Sequence, residues 1–217
     1  MSGLVNTQYS VIEFIIDLYA LIIILVISII LLIKIIKERK ESGAYNIIRI
    51  LILGVFISLT WALLWEFIYE NTLFRIGFPD ETAKTADKFS FYNLGTSLIV
   101  TFALTMVFYY NQWKRLYFIP FFTLIVLLTI LLISGFGLIL LIYIYSGGIF
   151  VLVIMIYNSF KLRDNNLLGL CIFFIFAFLT NILGDSLVGL IFNLIYPTFG
   201  LIFVLGYFKP FKEETIS

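Results

Sequence analysis

Residues 91–110, FYNLGTSLIVTFALTMVFYY, decide how the chain reads. At ~1.5 Å per residue this stretch makes a helix of ~30 Å, the thickness of a bilayer's hydrocarbon core. It carries no charge, yet polar side chains recur at every fourth position: Asn93, Ser97, Thr101, Thr105 and Tyr109. The other apolar stretches read as walls around it.

Working outward, residues 18–33 hold no charge on any side, so they have no face suited to water. The whole chain of 217 residues is 62% hydrophobic and only 12% charged, which fits lipid as the solvent. The expected fold is therefore all-α: a polytopic membrane protein, a bundle of seven transmembrane helices in the cell membrane. The spans are expected at 11–36, 47–69, 91–110, 116–133, 138–160, 167–183 and 187–208. Residues 1–10 form a short external tail and 209–217 a short cytoplasmic one. The first ten residues lack a basic leader, so the first span is expected to be retained. A reading with six crossings, the last apolar stretch re-entrant, is the alternative, because 167–183 is short.

Charge placement orients the bundle. Alternating crossings put Lys34, Lys37, Arg39, Lys40, Arg49, Lys114, Arg115, Lys161, Arg163, Lys209 and Lys212 on one side. That is eleven of the 14 Lys and Arg residues, with Arg75, Lys84 and Lys88 opposite in the long 70–90 loop. The bias predicts the N-terminus outside and the C-terminus in the cytoplasm. Ser134 to Gly137 predicts a tight turn, and Ser146, Gly147 and Gly148 predict a bend or close helix contact in the fifth span. Pro197 frees a backbone carbonyl near residue 193.

The polar groups inside the spans are the candidate ligand-binding residues. Counting from the cytoplasmic cations puts Asp17 and Ser97 ~25 Å up, Asn193 ~24 Å, Asn181 ~22 Å, Tyr143 ~27 Å, and Glu66 and Asp185 ~28 Å. If turned inward, they form a net-negative vestibule open to the outside and floored by Thr101 and Thr105. Such a vestibule suits a small cationic or amphipathic ligand. Against this, Glu13, Asp17, Glu66, Glu70 and Asp185 also read as interfacial carboxylates in contact with headgroups and water. Ser97, Thr101 and Thr105, within ~80° on one helix face, also read as an interior packing stripe without ligand binding. Asn181 and Asp185 share a face and are expected to hydrogen-bond with Asn193 on the next helix.

Several chemistries are excluded as expectations. There is no His and one Cys, Cys171, so no disulfide, no His-based metal or haem site and no His general base is anticipated. No phosphate-binding loop, dinucleotide fingerprint or nucleophile with its base is present, so neither an enzyme nor a cofactor is expected. A net charge of +1 gives no reason to expect a nucleic-acid partner. Tyr110 to Lys114 and Tyr157 to Lys161 are alike, as in an internal repeat, but interfacial aromatic and basic residues produce the same pattern.

The outline of seven crossings resembles microbial rhodopsins, although the seventh span has no internal lysine for a retinal Schiff base. With YNSFKLRD at 157–164 and LGYFKP at 205–210, it looks like the seven-helix sensor modules of prokaryotic signalling proteins. That resemblance implies a sensor or receptor that binds a ligand outside and signals through a cytoplasmic partner. The chain is also similar in outline to small seven-helix transporters, but lacks their Pro-Gln motifs. A transporter or channel with a polar path along the third span is the alternative reading.

Overall fold

The computed structural model describes residues 2–71, 90–183 and 186–211, with the side chains of 2–10, 69–71 and 181 left aside. Among these residues the chain is helical and has no strand. In order they are α1 (Ser2–Ser42), α2 (Ile47–Asn71), α3 (Phe91–Tyr110), a 3-10 turn at Lys114–Leu116, α4 (Ile119–Ser134), α5 (Leu138–Leu162), α6 (Asn165–Leu183) and α7 (Leu187–Leu205). Six runs among the described residues are long and apolar enough to cross a membrane. α6 contributes a shorter apolar stretch, Asn165–Thr180. This is the pattern of a polytopic helical membrane protein.

Helix ends follow local chemistry. α1 runs well past the expected 11–36 at both ends, because no Gly or Pro interrupts residues 4–42. It stops where Gly43 takes a left-handed φ of 70° and donates its N–H to the Arg39 carbonyl. The predicted turn at 134–137 forms the same way: Gly135, at φ 68°, donates to Leu131. At α3's start the Ser90 hydroxyl accepts the Tyr92 N–H, and α3 begins at Phe91. Ser186 caps α7 by accepting from Gly189.

Two compact units divide the chain, Met1–Val151 and Leu152–Ser217. In the first, α3 packs on α2 and α4, and α1 packs on α2. The α2–α3 approach is closest where Gly95 meets Ala62, since a Cβ on Gly95 would lie 2.8 Å from the Ala62 Cβ. Gly54 leaves room for the Phe102 ring, which also meets Phe121 of α4 at 5.3 Å. The α1–α2 pair is joined by Phe14 with Phe67 at one end and by the Glu38–Arg49 ion pair at the other. Between them Ser28 and Thr60 place their hydroxyls 3.3 Å apart.

In the second unit α6 and α7 run antiparallel along a seam of rings. Phe203 fills the space above Gly169, Tyr196 meets Phe173 at 5.7 Å, and Phe176 lies between Phe192 and Phe199. Pro197 sits buried inside α7, which continues through it. Beyond α7 the chain returns to the start of α6, where the Asn165 amide meets the Phe211 backbone.

Candidate functional site

α3 is the most enclosed of the apolar runs in this structure, with buried residues on most of its turns. Ser97 and Thr101 are 0% exposed and Thr105 8%. Their hydroxyls are used locally. Ser97 donates to the Leu94 carbonyl at 2.8 Å, Thr101 to the Ser97 carbonyl at 2.8 Å, and Thr105 to the Thr101 carbonyl at 2.9 Å. Each Ser or Thr thus shields its polarity against its own backbone, which makes such residues tolerable in an apolar interior.

One of the three reaches further. The Thr101 and Tyr143 hydroxyls lie 2.9 Å apart, joining α3 to α5. Since Thr101 already donates to Ser97, its oxygen is placed to accept the Tyr143 O–H. The Tyr143 ring packs on an aliphatic cluster of Leu124, Leu131 and Leu140, with Leu98 and Ile144 beside it. Gly147, one turn further along α5, lets the helices meet: a Cβ there would lie 2.6 Å from Val100. The close contact expected at Ser146–Gly148 is therefore with α3, and Gly147 makes it.

The other predicted site residues are placed as follows. Asp17 on α1 and Glu66 on α2 are both half-buried, at the end of that pair where Phe14 meets Phe67. Asn193 is half-buried on α7, in the second unit. The Asn181 side chain and Asp185 lie outside the described residues, so their expected bonding with Asn193 does too. The structure brings together Ser97, Thr101, Thr105 and Tyr143. Around Thr105, Leu104, Met106 and Val107 are buried, so this part of α3 is packed apolar core.

Sequence reasoning missed two polar features. At the α1–α2 turn a crevice of about 370 Å³ is lined by Glu38, Glu41, Ser42, Ala44 and Asn46, sharing no residue with the predicted set. In the second unit, Asn165 both donates to and accepts from the Phe211 backbone. A helix-starting Asn after Asp164 was the only signal for the latter, and it does not reveal a partner 46 residues away. Among the described residues no group of three or more His, Cys, Asp or Glu is placed to hold a metal ion. Searches against family models, curated proteins and solved structures return no match for this chain.

Proposed function

We propose that the chain is a multi-pass membrane sensor or receptor-like protein with seven crossings, its N-terminus outside and its C-terminus in the cytoplasm. It binds a small cationic or amphipathic ligand from the outer side and passes the change to a separate cytoplasmic partner. The observation that carries this reading is the Thr101–Tyr143 contact, a directional polar link between two helices in an apolar interior. Such a link can be made or broken, and a ligand that prefers one of those states would bias it. Asp17 and Glu66 supply the negative charge for a cation. Burial of Ser97, Thr101 and the apolar residues below them favours a closed bundle over a conduit.

The seven-crossing arrangement is supported by the α6–α7 pair. At ~1.5 Å per residue each helix is ~28 Å long, close to the hydrocarbon thickness. Their rings pair along the length, and the segment past α7 returns to the start of α6. α7 has the length and apolarity of a full crossing, α6 offers the shorter apolar stretch Asn165–Thr180, and the cation bias supports the proposed orientation. No catalytic step belongs to this reading.

The test is thermal unfolding of the full chain in nanodiscs with a panel of quaternary ammonium and alkylammonium probes. A stabilising probe is expected, and Asp17→Asn should remove its effect. At a hundred times its dissociation constant a probe adds ~2.7 kcal/mol of stability. Stabilisation unchanged by Asp17→Asn, or no stabilisation by any member of the panel, would overturn the proposed ligand class.

A further inference from the structure

The end of the second unit where α5 stops, α6 starts and the chain emerges from α7 is drawn together by one side chain. Asn165 Nδ2 donates to the Phe211 carbonyl at 3.0 Å, and Asn165 Oδ1 accepts the Phe211 N–H at 2.8 Å. The amide thereby satisfies both backbone groups of a residue that belongs to no helix. Phe160, on the last turns of α5, closes on the Phe211 ring edge-on at 6.0 Å. The 207–211 segment is thus fixed against the α5–α6 turn.

This fixes where three exposed cations lie. Arg163 is two residues from Asn165, and Lys209 is two residues from Phe211, each step spanning at most ~7 Å. Lys161 stands on α5's last turn, its ammonium 5.5 Å from the Tyr157 ring centre. Only two residues separate α5 from α6, and Arg163 takes a left-handed φ of 50° in that gap. Asp164 Oδ1 is turned to α6, accepting the N–H groups of Asn166 and Leu167. That carboxylate oxygen caps the start of α6.

The surroundings identify the anion. Tyr157, Phe160 and Tyr207 are 62%, 60% and 80% exposed around the cations. Exposed tyrosine and lysine at the ends of apolar helices belong at headgroup level, where ring bodies meet acyl chains and their polar tips meet water. A soluble phosphate would gain nothing from those rings. We infer that this end of the unit is a headgroup site for an anionic phospholipid, with Lys161, Arg163 and Lys209 as its cations and the Asn165–Phe211 clamp assembling it. The inference goes beyond the receptor reading and holds whether the bundle senses or transports. Each cation near an anionic surface contributes about fivefold in affinity, so the three together contribute on the order of a hundredfold.

The test is thermal unfolding of the full chain in phosphatidylcholine nanodiscs with and without phosphatidylglycerol in both leaflets, so that orientation does not matter. Phosphatidylglycerol should raise the unfolding temperature, and Lys161→Gln/Arg163→Gln/Lys209→Gln should remove most of that rise. Lys114→Gln/Arg115→Gln should keep it. Asn165→Ala should reduce it as much as Lys209→Gln alone. Native mass spectrometry of the same variants reads lipid adducts directly, should the triple variant unfold. Equal loss in both basic variants would mean surface charge alone and would overturn the site. An unreduced rise in Asn165→Ala would overturn the role of the clamp. A rise matched by soluble glycerol phosphate would overturn the assignment to lipid.

Discussion

The Tyr143 hydroxyl meets Thr101 at 2.9 Å, while the Thr101 hydroxyl also bonds the carbonyl one turn back along its own helix. Two helices thus share one buried oxygen, and the pair can be dissected without touching the rest of α3. In a double-mutant cycle with Thr101→Val and Tyr143→Phe, the coupling should be ~0.6 kcal/mol and no more than about 2, the range for hydrogen bonds between membrane helices. Unfolding by SDS titration in mixed micelles measures it, and a coupling of zero would mean that the contact does not link the helices.

Close approach at Gly95 gives a sharper structural prediction. A Cβ there would lie 3.1 Å from Ala62 backbone atoms as well as 2.8 Å from its Cβ, and backbone cannot swing aside. Gly95→Ala should cost ~1–3 kcal/mol through overpacking of α2 against α3. Gly148→Ala, where a Cβ meets nothing within 4 Å, should be neutral or slightly stabilising through helix propensity. The same SDS titration compares them, and equal effects would contradict the α2–α3 register.

The all-helical membrane class is legible in the amino-acid sequence, because bilayer thickness constrains the length of an apolar helix more strongly than any propensity does. Phe91 to Tyr110 carries both its length and its polar column openly, and Gly43 and Gly135 announce helix stops. Partners are not legible. Nothing in the sequence distinguishes Tyr143, which meets Thr101, from Tyr145, which is 57% exposed. Local periodicity places a side chain on a face but does not say which helix lies opposite. Nor can it separate a cavity lining from a packing stripe, since a hydroxyl that bonds its own backbone serves either. The excess length of α1 is masked by its charges, which read as a boundary although the helix continues through them to Ser42.

Asn165 should govern exchange at the end of the second unit. Asn165→Ala removes two hydrogen bonds to Phe211, which at ~0.5–1.5 kcal/mol each makes a cost of about 1–3 kcal/mol. Hydrogen exchange at residues 207–211 should accelerate while the centres of α6 and α7 stay protected. Asn165→Asp keeps the acceptor for the Phe211 N–H and should give an intermediate effect. Unchanged exchange in Asn165→Ala would show that the segment is held by its rings alone.

Orientation is checked by labelling. In a Cys171→Ala background, single cysteines at Lys84 and Lys212 should react with membrane-impermeant maleimide from opposite sides, Lys84 from outside. Labelling of both from one side would break the seven-crossing arrangement.

The most direct test of the closed, sensing bundle is passive flux. The full chain, reconstituted in liposomes, should pass K⁺, Na⁺ and H⁺ no faster than empty liposomes, and Thr101→Val and Asp17→Asn should change nothing. Cation flux well above that of empty liposomes, abolished by both substitutions, would contradict the account and make the α3 seam a transport path.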